Sequence, residues 1–233
     1  MTTPLLALHK IFLATEGEGI NLGLPEVFVR LQGCAIACHN CDTPAALPFT
    51  QPNQSVNDIL AKIKEFGIKR ISLTGGDPLA LLQRPGVKAL CQALKTQGYW
   101  INLEAHGLTP LDDAAEIYDL VDFISADFKT PSCGHPGKVE ILRALCQKYP
   151  SKLQIKSVIF DETDFAFVLA AHHAVSPWPQ EVAWVLTPAY NLGEAFPHAR
   201  IEQIYHWNYN AGGKFRVIVQ QHKVVFGTQR DDV

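Results

Sequence analysis

Short runs rich in β-forming residues alternate with helical patterns along nearly the whole chain, and this alternation restricts the possible folds most. Residues 27–31, 70–74, 100–104, 122–126, 154–159, 182–186 and 215–219 read as strands, with 8–13 as a further candidate. Several are continuously apolar, as strands covered on both faces are. Helical patterns lie between them. Ser55 with Asp58 three residues on makes a capping-box start, and Val56, Ile59, Leu60, Ile63 and Phe66 then form one stripe that ends at Gly67. A second helix opens at Pro85 and closes at Gly98, with Val87, Leu90, Cys91 and Leu94 as its stripe. Further helical patterns cover 111–119, 138–149, 163–173 and 194–209. Strand alternating with helix implies a parallel sheet with right-handed crossovers. Six or seven such strands curl into a partial, TIM-like α/β barrel with helices outside. No Ser/Gly-rich linker or charge run divides the 233 residues, so one domain over 1–233 is expected.

Parallel α/β folds gather their chemistry at the C-terminal ends of the strands. The polar and glycine-rich motifs of this chain fall there. Gly33 and Cys34 follow the first main strand, Gly75 and Gly76 the next, and Glu104 ends the third. Asp127 and Lys129 follow the fourth, Thr187 and Pro188 the sixth, and His222 the last.

Among these motifs, Gly33–Thr43 reads GCAIACHNCDT, with Cys34, Cys38 and Cys41 at C-x3-C-x2-C. Three thiolates in one loop suit three corners of a four-iron cluster, leaving one iron open to an external molecule. The alternatives are a zinc loop or three unrelated thiols. Zinc needs a fourth Cys or His nearby, and His39 sits between two of the cysteines, where tetrahedral reach is awkward. In LTGGDP, Gly75 and Gly76 let the backbone approach a ligand; an ordinary turn is the alternative. Glu104 ends a strand in NLEAHG, and a carboxylate accepts well from a pair of hydroxyls. His106 reads as a loop residue. Asp127 and Lys129 are either a structural pair or contacts to a ligand. Cys91 and Cys146 lie on helix stripes and read as core residues, while Cys133 in TPSCG is a loop cysteine with too few partners for a second cluster.

Composition removes other classes of function. A chain 47% hydrophobic and 18% charged, with net charge −3, has no Lys/Arg cluster for nucleic acid or an anionic membrane. No apolar run approaches the ~18 residues of a membrane span, and MTTPLLALHK lacks the pattern of a secretory signal. Three crowded and three scattered cysteines do not make a secreted disulfide framework. A reducing cytoplasm is expected.

The cysteine spacing resembles the signature of the radical S-adenosylmethionine (SAM) superfamily, in which SAM chelates the fourth iron of a [4Fe-4S] cluster. TGGDP resembles that superfamily's GGEP element, with Asp77 one methylene shorter than the usual Glu. Within the superfamily, FLATEGEGINLGLPEVFVRLQGCAIACHNCDT closely resembles the start of 7-carboxy-7-deazaguanine synthases, through Gly17-Glu18-Gly19, Gly23, Pro25, Phe28-Val29-Arg30-Leu31, Gly33 and Cys41-Asp42-Thr43. Glu104, the DFK element at Lys129 and Gln221-His222-Lys223 extend the likeness over nearly the whole chain.

The resemblance implies the ring contraction of 6-carboxy-5,6,7,8-tetrahydropterin to 7-carboxy-7-deazaguanine, with loss of ammonia, on the route to queuosine and other deazapurines. It implies that SAM is reused rather than consumed. It assigns Cys34, Cys38 and Cys41 to the cluster and Thr43 to a Mg2+ ion that also holds the substrate carboxylate. Asn40, Asp42, Gly75, Gly76, Asp77, Glu104, Asp127 and Lys129 would meet SAM. Thr15, Glu16, Gly17, Arg30, Thr74 and His222 would meet the pterin, Arg30 by a bidentate contact and His222 with Lys223 closing the pocket. Arg30 as a strand-end salt bridge and Thr43 as a cap are the plainer alternatives. Glu16 stands where the family has Gln, which brings a carboxyl group into the substrate pocket. A homodimer and a flavodoxin-type electron donor are implied as well. The rivals are a radical SAM activase that makes a glycyl radical on a partner protein, and a non-catalytic zinc or iron–sulfur module.

Overall fold

A computed structural model describes residues 4–190 and 194–227. The strands are β1 (Leu5–Leu6), β2 (Leu8–Thr15), β3 (Pro25–Leu31), β4 (Gln54–Ser55), β5 (Arg70–Gly75), β6 (Trp100–Ala105), β7 (Phe123–Asp127), β8 (Leu153–Ile159), β9 (Ala183–Pro188) and β10 (Arg216–Val217). The helices are α1 (Val56–Glu65), α2 (Arg84–Thr96), α3 (Leu111–Leu120), α4 (Val139–Lys148), α5 (Glu162–Ala174), α6 (His198–Asn210) and α7 (Gln221–Phe226). One sheet runs in the order β10-β9-β8-β7-β6-β5-β3-β2. All its pairs are parallel except β2 with β3. β1 and β4 form a separate antiparallel pair. The family resemblance and the alternation therefore lead to the same architecture, a partial barrel of parallel strands with helices outside. No helix among the described residues is long and apolar enough to cross a membrane.

The expected capping box is present. Ser55 accepts from the Asp58 backbone N–H, and the Asp58 carboxylate reaches back to the Ser55 N–H. α1 then buries Val56, Ile59, Leu60 and Ile63, and Gly67, with φ 68°, turns the chain toward β5. Burying that stripe removes apolar surface from water, worth about 25 cal/mol per Å2.

Three expectations need correction. The helix expected over 194–209 starts at His198, because residues 194–197 are irregular and include Pro197 at the cap. The strand expected over 215–219 shortens to Arg216–Val217, and α7 follows after three residues, 218–220. The central strands are also not covered alike on both faces. In β5 to β8 apolar and polar side chains alternate: Ile71, Leu73, Ile101, Leu103, Ile124, Ala126, Leu153 and Ile155 join the apolar core. Ser72, Asn102, Ser125 and Gln154 are buried polar residues of the intervening positions. A period of two places them on the opposite face, inside the curl of the sheet.

Candidate active site

The polar inner face begins as a ladder of hydrogen bonds across four strands. Gln154 Nε2 donates to Ser125 Oγ at 2.7 Å, Ser125 Oγ to Asn102 Oδ1 at 2.9 Å, and Asn102 Nδ2 to Ser72 Oγ at 3.0 Å. One step further along the strands stand Thr74, Glu104, Asp127 and Lys156, which line a cavity at the C-terminal end of the sheet. Thr74 and Ser72 hydroxyls each lie 3.4 Å from Glu104.

Lys156 holds the charge balance of this cavity. Its Nζ lies 3.3 Å from Glu18 and 3.6 Å from Glu104. Burial disfavours its charge, yet Glu104 and Glu18 outweigh burial and keep the ammonium protonated. Burial works against the Glu18 carboxylate too, but Lys156, His222 and a hydrogen bond from Gln220 hold its pKa at about 2. Glu16 differs. It is 3% exposed, and burial followed by repulsion from Glu104 pushes its pKa well above the ordinary range, against the pull of Lys156. Its Oε1 accepts the Glu18 N–H at 3.1 Å, and Asn102 Nδ2 lies 3.5 Å from its Oε2.

Tight loops bring the remaining walls in. The Gln221 N–H donates to Gly17 O at 2.9 Å, which docks α7 onto the loop that carries Glu16 and Glu18. A Cβ on Gly17 would overlap the His222 ring. Gly76 N–H donates to Leu31 O and Asp77 N–H to Gly33 O, both at 2.9 Å, so the β5 loop lies against the start of the cysteine loop. Gly75 has φ 135° and its missing Cβ faces the Leu31 backbone, which a side chain could not tolerate. In the cysteine loop Ala37 is the one non-glycine residue of positive φ among the described residues, at 35°. That twist stands between Cys34 and Cys38.

The cavity is lined by Thr15, Glu16, Gly17, Arg30, Cys34, Cys38, Asn40, Cys41, Asp42, Thr43, Thr74, Gly75, Gly76, Glu104, Asp127, Lys129 and His222. Every site residue expected from the sequence is on this wall except Asp77. Asp77 is 1% exposed, turned away, with Oδ2 3.3 Å from His106 Nε2. The carboxylate one methylene shorter than the usual Glu therefore braces the loop against His106 instead of facing the cavity. His106, expected to be a loop residue only, lines the cavity itself. Asp127 and Lys129 form an ion pair of 2.7 Å on the wall. Thr43 precedes a short 3-10 turn but makes no side-chain cap hydrogen bond; its hydroxyl donates to Asp42 at 3.1 Å. Sequence reasoning missed Lys156, Glu18, Asn102 and Gln154. For Lys156, Asn102 and Gln154 the signal was the period-two placement of polar residues in LQIKSVI and WINLEA; Glu18 lies in a loop.

The donor chemistry suits a cluster. Cys34, Cys38 and Cys41 are free, partly accessible and on one wall. Among the described residues no three Cys, His, Asp or Glu side chains converge on a single-ion site; a cubane instead sets each thiolate on a different iron.

Residues 28–158 match the model of the radical SAM superfamily. The 7-carboxy-7-deazaguanine synthase of Leptospira interrogans is 30% identical over 96% of this chain and 97% of its own length. This chain belongs to the 7-carboxy-7-deazaguanine synthase family of radical SAM proteins. The Aquifex aeolicus member is 37% identical, over 46% of this chain and 47% of its own length. The crystal structure of QueE from Escherichia coli shares the fold, with a TM-score of 0.64 at 20% identity over 94% of this chain and 95% of that one. Membership of the radical SAM superfamily brings a [4Fe-4S] cluster and SAM.

Proposed function

We propose that this chain converts 6-carboxy-5,6,7,8-tetrahydropterin to 7-carboxy-7-deazaguanine with loss of ammonia, in queuosine and deazapurine biosynthesis. The observation that carries this is the single cavity shared by the cysteine loop, the Gly75-Gly76 turn, Arg30 and the Glu16–Gly17–Glu18 loop. When bound, the cluster and SAM would supply, through one-electron reduction of SAM, a radical able to abstract a hydrogen atom. Cys34, Cys38 and Cys41 hold the cluster, and the glycine backbone of Gly75 and Gly76 with Asn40, Asp42, Glu104, Asp127 and Lys129 holds SAM. Arg30, whose guanidinium stacks 5.0 Å from the Phe12 ring centroid, binds the substrate carboxylate. Thr43 offers its hydroxyl to a Mg2+ that shares that carboxylate. Thr15, Glu16, Gly17 and Thr74 line the pterin. His222 and Lys223 close the pocket, with Lys223 Nζ 5.0 Å from the Tyr190 ring centroid and 3.9 Å from Asp42. The enzyme acts in the cytoplasm as a homodimer and takes electrons from a flavodoxin-type donor.

The test is anaerobic turnover of reconstituted protein with SAM, Mg2+, dithionite and the carboxytetrahydropterin, followed by mass spectrometry. The expected product has the mass of 7-carboxy-7-deazaguanine, with SAM largely retained. Release of 5′-deoxyadenosine without that product would remove the substrate assignment while leaving the radical SAM class. Thr43→Ala is expected to raise the Mg2+ concentration needed for half-maximal rate; equal Mg2+ dependence in variant and wild type would remove the Mg2+ role.

A further inference from the structure

Cys133 is a buried thiol that the proposed chemistry does not use. It ends a 3-10 turn, Pro131–Cys133, that is pinned from behind: Ser132 donates through its backbone N–H and its hydroxyl to the buried Asp164 carboxylate at 3.0 and 2.6 Å. The turn meets the cysteine loop directly. His39 N–H donates to Cys133 O at 3.1 Å. Gly134, with φ 86°, leaves room for the His39 ring, which a Cβ there would approach to 2.8 Å. Cys38 directly precedes that His39 N–H, so its backbone lies against the Cys133 turn, and both cysteines line the cavity. Cys38 is partly accessible and Cys133 is buried.

We propose that Cys38 and Cys133 form a reversible disulfide when the cluster is absent, and that cluster loading prevents it. The second half rests on the proposed role of Cys38 as a cluster ligand. The oxidant is a low-molecular-weight disulfide. The accessible Cys38 sulfur gives up its proton and attacks one sulfur of it, its S–S bond breaks, and the small leaving group takes up a proton and departs as a thiol. The Cys133 sulfur then attacks Cys38 in the mixed disulfide and releases the second small thiol. The two cysteines lose two electrons and two protons, and the small disulfide becomes two thiols. The bond withdraws Cys38 from iron and joins the cysteine loop to the anchored turn. Reduction returns both thiols. While Cys38 holds iron its sulfur cannot attack, so the loaded protein keeps Cys133 reduced.

The experiment uses full-length protein, stripped of iron or reconstituted with iron and sulfide, treated with glutathione disulfide and then alkylated. Trypsin places Cys34, Cys38 and Cys41 on peptide 31–62 and Cys133 on peptide 130–138. In stripped protein the two peptides are expected to appear linked within one chain, two hydrogens lighter than their sum. The link should persist in a Cys34→Ser/Cys41→Ser double variant, vanish in Cys38→Ser, and open with dithiothreitol. Alkylated or glutathionylated Cys133 in the stripped wild type, or a link that survives Cys38→Ser, overturns the pairing and leaves the ligand assignment standing. An equal yield of link in protein shown to carry a full complement of iron overturns the protection by the cluster and, with it, Cys38 as a ligand.

Discussion

At the scale of single residues, Glu16 is the position where the charge state and the fold are most tightly linked. Its carboxyl is buried and faces Glu104, and these outweigh the pull of Lys156 toward ionisation. The folded protein therefore favours the protonated form over the unfolded chain. A raised carboxyl pKa contributes stability that is present below the unfolded value near 4.5 and is lost as pH rises through the folded value. Glu16→Gln keeps the shape and cannot titrate. It is expected to melt higher than wild type, with a gap that widens from acid toward neutral and alkaline pH, on the order of 1 kcal/mol or ~2–4 °C. A gap that stays constant with pH, measured by thermal unfolding of cluster-free protein, would contradict this. Glu18, two residues on, has the opposite sign. Its pKa of about 2 contributes stability above the unfolded value that is lost as pH falls toward 2.

At the scale of elements, the cavity is closed by contacts between segments rather than by any one of them. α7 is a short helix with no buried residue of its own, and it is attached to the Glu16–Glu18 loop through Gln221 N–H on Gly17 O and Gln220 on Glu18. Gly17 makes room for His222. Gly17→Ala is expected to displace α7 and raise the KM for the pterin by roughly tenfold or more, with kcat reduced less. Iron and sulfide content should stay at the wild-type level, because the cysteine loop is on a different segment. A loss of iron in Gly17→Ala would show instead that the loops collapse together.

Across the whole molecule, the sheet separates stability from chemistry. At its N-terminal end Arg70 donates through Nε and Nη2 to the fully buried Glu26, at 3.1 and 2.9 Å, and lies 3.6 Å from the Trp100 ring centroid. Arg70→Met leaves a buried carboxylate without its cation and is expected to cost about 3 kcal/mol in denaturant unfolding, while the protein that remains folded loads iron normally. Cys34→Ser should do the reverse, losing iron without a comparable loss of stability. If the two variants lose stability and iron in parallel, the separation does not hold. The sequence by itself determined the strand and helix order, because hydrophobic period and capping are local: β2, β3 and β5 to β9, and α1 to α5, lie within a few residues of the segments that alternation and Ser55, Gly67 and Pro85 mark out. It also determined the cysteine loop and most of the cavity wall, since parallel strands deliver their C-terminal ends to one edge. Only the tertiary structure decided that Lys156 balances Glu18 and Glu104, that Asp77 turns to His106, that α7 closes over Gly17, and that the Cys133 turn meets the cysteine loop at His39. Those contacts join residues from 29 apart, Asp77 and His106, to 204 apart, Gly17 and Gln221, in the chain. Their contacts depend on how the sheet curls and where the loops cross, and no local pattern encodes either.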